Sequence, residues 1–135
     1  MIEIKFNLKP DALLTRGTSF SAGIDLHAYE YAMIHPMQSC LIDVGVTWEV
    51  NLPVFGMIKD RSSLAIRGLR VGAGIIDSDY RGDIKVLLMN HAFTAFEVIV
   101  GMPIAQFLIL NYVSVPVEIR ISERGTGGFG STDVK

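Results

Sequence analysis

GIIDSDYRGDIKVLLMN, residues 74–90, carries one apolar segment into a turn and a second apolar run out of it. The turn holds Asp77, Asp79 and Tyr80. An ordinary surface turn needs neither an aromatic ring nor so ordered a setting, so the stretch reads as a hairpin with a candidate site at its mouth. From the local residues alone, a solvated turn is an equal alternative. The hairpin predicts strands over 69–76 and 83–89, and it sets the expectation of extended segments for the rest of the chain.

Working outward, Ile2, Ile4, Phe6 and Leu8 alternate with polar residues at the period of a half-buried strand, ended by Pro10. Further strands are expected over 24–27, 40–50, 54–59, 96–100, 104–110 and 113–121, with Gly45 as a bulge in the second of these. Residues 11–20 read as turn. Only one short helix is expected, capped by Asp60 or Ser62, running through Leu64, Ala65 and Ile66 and stopped at Gly68. Many short strands punctuated by Gly and Pro predict an all-β fold, a sandwich or barrel. No pair of long helical periods exists to build a βαβ layer.

The length, 135 residues, suits one domain with a real core, and half the residues are apolar. A net charge of −2 with both signs scattered offers no basic face for nucleic acid. No segment reaches the ~18 apolar residues of a membrane span. The first residues lack a basic flank followed by an apolar core. The expectation is a soluble chain in the cytoplasm or another intracellular compartment. The lone Cys40 reads as a small hydrophobe, and His27, His35 and His91 lack metal-pair spacing.

Several residues carry potential chemistry. Arg61, Ser62 and Ser63 stand at a strand–helix junction, where a guanidinium, hydroxyls and free N–H groups can hold an anion, or where they form an ordinary cap. Gln106 lies in an apolar segment, and its amide needs a structural partner or a ligand. Asp25, after Ala22 and Gly23, could face a cation or solvent. From Arg124 the chain runs RGTGGFGSTD. Such a tail is a frayed terminus or a closing flap, with donors for phosphate and Phe129 to stack on a base.

Five ordered motifs resemble those of the homotrimeric dUTPases: AGIDL at 22–26, DRSSLA at 60–65, GIIDSDYRG at 74–82, GMPIAQ at 101–106 and RGTGGFGST at 124–132. The resemblance implies a jelly-roll-like distorted β-barrel over residues 1–123, with a flexible glycine-rich flap at 124–135. It implies a homotrimer with active sites shared between subunits, Mg²⁺, and hydrolysis of dUTP to dUMP and pyrophosphate. In its terms Asp77 is the water-activating base and Tyr80 packs on the deoxyribose. The backbone from Val71 to Gly74 reads uracil, while Arg61, Ser62, Ser63 and Gln106 contact phosphate. Asp25 touches the metal through water. Arg124 binds the γ-phosphate, Phe129 stacks on uracil, and Gly130, Ser131 and Thr132 complete the phosphate contacts.

Asp60 stands where the family commonly has Pro, Met102 and Pro103 where Asp–Arg is usual, and Asp133 where Gly often follows the last Thr. The related dCTP deaminases share an Arg-Ser-Ser segment but need a Glu in the strand after the hairpin. Leu87 occupies that position here, and Lys85, Val86 and Leu88 supply no carboxylate. Hydrolysis is therefore expected over deamination.

Overall fold

The computed structural model describes residues 3–113 and 115–122. In chain order the elements are β1 (Ile4–Leu8), β2 (Leu14–Thr15), β3 (Ile24–His27), β4 (Ala32–Ile34), β5 (Ser39–Asp43), β6 (Val46–Val50) and β7 (Val54–Lys59). The short helix α1 (Ser62–Ala65) follows, and then β8 (Leu69–Gly72), β9 (Ile75–Ile76), β10 (Lys85–Asn90), β11 (Phe96–Val98) and β12 (Pro103–Asn111). The fold is all-β as the punctuation of the sequence predicts, and the arrangement of its strands is jelly-roll-like as the family resemblance implies.

Every strand pairing is antiparallel. The largest sheet runs β2-β3-β12-β7-β9; β5-β10-β8, β1-β6 and β11-β4 complete the wall. Between them lie Leu26, Ile42, Val44, Val46, Trp48, Ile84, Val86, Ile104 and Phe107, all fully buried. The Trp48 and Phe107 rings meet edge to face at 5.2 Å, and Phe6 meets Phe107 at 5.6 Å. Such pairs each add about 0.5–1.5 kcal/mol beyond the area they bury. Gly56, inside β7, leaves the space that the Phe107 ring fills.

Several boundaries differ from the sequence expectation. The stretch 40–50 is two strands in different sheets, because Gly45 turns at φ 71° and donates its N–H to Asp43 Oδ1 at 2.8 Å. Gly45 is a turn between strands, not a bulge. The bulge of the main sheet lies in β12, where Pro103 pairs with His27 but Ala105 already pairs with Leu26. The stretch 69–76 is likewise split into β8 and β9 by Ala73 at φ 54° and Gly74 at φ 103°.

The helix ends at Ala65 with Ile66 as its C-cap, short of the expected stop at Gly68, which instead closes the following turn at φ 91° with its N–H on Ala65 O. The helix N-cap position is Arg61, with no side-chain cap bond. Asp60 turns its carboxylate elsewhere. Residues 113–121 form no strand among the described residues, and Val113, Val115, Val117, Ile119 and Ile121 are all exposed. Alternation alone sufficed to suggest a strand there, but it pairs with no strand among the described residues.

Gly74 is the tightest point of the hairpin. Its carbonyl accepts the Ile58 N–H at 2.7 Å, and a Cβ added to it would lie 2.5 Å from Ile58 O. A side chain there meets both forbidden backbone geometry and a backbone oxygen that cannot move aside. Replacing Gly74 by Ala should destabilise the chain by about 2 kcal/mol or more, measured by urea unfolding. Unfolding at the parent midpoint would contradict this account of the turn.

Candidate active site

The main sheet's register lines up residues that are far apart in sequence. Thr15 pairs with Asp25, Asp25 with Gln106, and Gln106 with Lys59, one row across four strands. Directly paired residues share a face of the sheet. Leu26 and Phe107, next in their strands, are fully buried, so the row lies on the opposite, outward face.

Arg61 folds onto this row. Its Nε lies 3.3 Å from Asp25 Oδ1, and one terminal guanidinium nitrogen donates to Pro103 O at 3.4 Å. Gln106 donates from Nε2 to Asp60 O at 2.8 Å, which answers the question its apolar setting raised. Gly23 precedes Asp25 for a steric reason, since any Cβ there would overlap the Gln106 side chain. Ser62 and Ser63 are exposed in the first turn of α1, beside Arg61. Asp25, Arg61, Ser62, Ser63 and Gln106 are therefore gathered at one end of β7.

The hairpin runs along the other edge of the same strand. Gly74 O bonds Ile58, Ile75 pairs with Met57, and Ile76 pairs with Gly56. Asp77 follows at the far end. It lines an open cavity of about 670 Å³ with Phe55, Ile75, Ser78, Asp79 and Tyr112. The Tyr80 N–H bonds Asp77 O at 3.1 Å, closing the turn, and its hydroxyl donates to Asp83 O at 2.7 Å. The Tyr80 ring remains 41% exposed, free to contact a ligand. At ~3.3 Å per residue, Asp77 lies roughly 10 Å from Gly74 and well over 15 Å from Arg61 along β7.

Two features escaped the sequence reading. Phe55 and Tyr112 join the Asp77 cavity through strand pairing, their rings 6.2 Å apart. Asp79, part of the candidate turn, faces the same cavity. Asp60 accepts from Arg70 Nε and from the Val71 N–H, each at 2.6 Å, a link spanning 10 and 11 residues with no local signature. Arg124, Phe129, Gly130, Ser131 and Thr132, with Asp133, lie outside the described residues.

Other expectations have simpler outcomes. Cys40 is half-buried against the core. His27 is held in place between Thr15 Oγ1 at 2.8 Å and Gly101 O at 2.9 Å. Leu87 pairs with Gly72 and Leu41, and its methyl group packs where a Gly72 side chain would sit. Among the described residues there is no cluster of three or more His, Cys, Asp or Glu able to hold a metal by themselves. Nor is any of their helices long and apolar enough to cross a membrane.

The dUTPase family model matches residues 9–133. A fowlpox virus deoxyuridine 5'-triphosphate nucleotidohydrolase is 44% identical over 128 residues, covering 87% of this chain and 87% of that protein. The Yarrowia lipolytica protein of the same name is 39% identical over 127 residues, covering 89% of this chain and 81% of its own. Among solved structures, native EIAV dUTPase superposes with a TM-score of 0.77 at 26% identity, over 90% of this chain and 99% of that one. The 80alpha staphylococcal phage dUTPase with dUPNHPP gives 0.80 at 20% identity, covering 98% and 99%, and supports the fold alone. With the five motifs in order and a family match across nearly its whole length, the chain is a hydrolase of the dUTPase family.

Proposed function

We propose that the protein hydrolyses dUTP to dUMP and pyrophosphate, limiting uracil incorporation into DNA and supplying dUMP for dTMP synthesis, in an intracellular compartment such as the cytoplasm. The observation that carries the reading is the spacing along the hairpin. A base held at the turn 71–74 leaves the α-phosphate near Asp77, roughly 10 Å away, about the length of a nucleoside. Asp77 then orients and deprotonates a water in line with the α-phosphorus while pyrophosphate leaves. Tyr80 packs on the deoxyribose and excludes a 2′-hydroxyl. The narrow backbone slot rejects cytosine by mispaired donors and thymine by its methyl group, the former being the stronger discrimination.

The same geometry supports a shared site. Phosphates continuing past Asp77 run away from the Arg61 of their own chain, which sits at the opposite end of β7. Arg61, Ser62, Ser63 and Gln106 therefore serve a site on a neighbouring copy, within a homotrimer. The exposed apolar side chains at 113, 115, 117, 119 and 121 fit this reading, since assembly would cover them. In the complete site Arg124, Gly130, Ser131 and Thr132 hold phosphate and Phe129 stacks on uracil. The flap at 124–135 closes over the barrel of 1–123 only when substrate is bound.

Mg²⁺ fits the residues present in one way. Asp25 is a single half-exposed carboxylate already paired with Arg61, which suits contact through a water better than a protein cage. The ion supplies charge neutralisation on the triphosphate when bound. Asp25 would hold the ion through water, and Arg61, now paired with Asp25, would supply a second positive charge for phosphate.

Asp77→Asn should nearly abolish pyrophosphate release from dUTP while leaving nucleotide binding largely intact; undiminished turnover would remove Asp77 from the mechanism. Pyrophosphate release assayed with dUTP, dCTP, dTTP and UTP, with and without Mg²⁺, should be strong only for dUTP with the metal. Uridine-nucleotide formation from dCTP would favour the deaminase reading against Leu87. Deleting residues 124–135 should cost most of the activity without unfolding the barrel, as read by thermal melting. A sharper test of the shared site mixes Asp77→Asn with Arg61→Ala chains after co-refolding. Each alone is expected to be inactive and the mixture to regain activity; a silent mixture would place the whole site within one chain.

A further inference from the structure

Asp60 is the joint between three pieces of the site. Its backbone carbonyl accepts from Gln106 Nε2 at 2.8 Å, and Arg61 follows it directly. Its carboxylate takes the Arg70 Nε–H on Oδ2 and the Val71 N–H on Oδ1, both at 2.6 Å. The Asp60 side chain is only 14% exposed. Burial alone pushes its carboxyl upward. The Val71 N–H, the bond and charge of Arg70 and the charge of Lys59 outweigh that, holding it below the ordinary 3.8. The group is therefore ionised near neutral pH.

An ionised acceptor binds a backbone N–H roughly twice as strongly as a neutral one. A neutral base carbonyl is a poor competitor for the Val71 N–H, so that N–H stays with Asp60. The base must be read by the remaining backbone groups of the turn, whose placement depends on where Val71 is held. Arg70 has a second effect. A bare carboxylate next to Arg61 would repel a polyphosphate, and the Arg70 guanidinium neutralises it locally.

We propose that Asp60 is a positioning residue for base discrimination, fixing the first strand of the base-reading hairpin to the Arg61 segment through Val71 and Arg70. The inference rests on the dUTP reading above. A proline at this position would offer neither the carboxylate nor the two bonds.

The test compares wild type with Asp60→Ala, Asp60→Asn and Arg70→Gln on dUTP and dCTP, with melting temperatures measured in parallel. Asp60→Ala should raise KM for dUTP about fivefold or more with kcat within about twofold, and lower the dUTP-over-dCTP ratio in kcat/KM about tenfold. Asp60→Asn keeps an oxygen that accepts from Val71 N–H and should recover most of that ratio. Arg70→Gln, at an exposed side chain, should shift KM in the same direction by less; it carries the test if the Asp60 variants fail to fold. A fall in KM would show that the carboxylate blocks the slot and overturn the proposal. So would an unchanged dUTP-over-dCTP ratio, or losses that only track melting temperature. A wild type inactive on dUTP would instead refute the functional reading itself, before any variant is compared.

Discussion

Antiparallel pairing on both edges of β12 is the constraint on which the rest of the molecule depends. Nine residues long, the strand joins β3 on one side and β7 on the other, and β7 in turn carries β9. Its inward face supplies Phe107 to the aromatic cluster, and its outward face supplies Gln106 to the polar row. Core and site are thus two faces of one register. Shifting the strand by one residue would bury Gln106 and expose Phe107, so the hydrophobic effect that selects the fold also holds Asp25, Gln106 and Lys59 abreast.

Along β7 the chemistry is divided. One end gathers Asp25, Arg61 and Gln106, and the other presents Asp77 over a cavity walled by Phe55 and Tyr112. A rigid strand between them keeps these groups from collapsing onto one another. That matters for Arg61, whose present partner is a half-exposed carboxylate. An ion pair of this kind is weak in water, worth about 0–1 kcal/mol, so a competing anion would displace it at little cost.

How much of this was legible follows from how each signal is encoded. Period-two runs such as Ile4, Phe6 and Leu8 announce their strands, and Gly68 announces the turn that follows the helix, because each depends on neighbours in sequence. β2 and β4 went unseen because two or three residues cannot show a period; partners make them strands. The breaks at Gly45 and Gly74 were visible as glycines, but whether a glycine bulges or turns depends on what lies across from it. The five motifs singled out Asp77, Tyr80, Arg61 and Gln106 because family resemblance suggests roles that periodicity does not. Asp60 had the opposite fate: noted as a cap candidate and as a departure from the family, it gained its proposed role only once Val71 and Arg70 were brought to it.

The bulge in β12 has a bearing on how this family can vary in length. Pro103 faces His27 and Ala105 faces Leu26, so Ile104 is the surplus residue between two consecutive rungs. Loss of a residue there would leave Gln106 opposite Asp25, at the expense of a fully buried isoleucine. Loss of one between Gln106 and the end of β12 would instead throw the remaining β7 pairs out of phase. Tolerance to insertion and deletion is therefore uneven along a single strand. The irregular rung acts as an expansion joint, letting the loop before β12 change while the polar row stays in line.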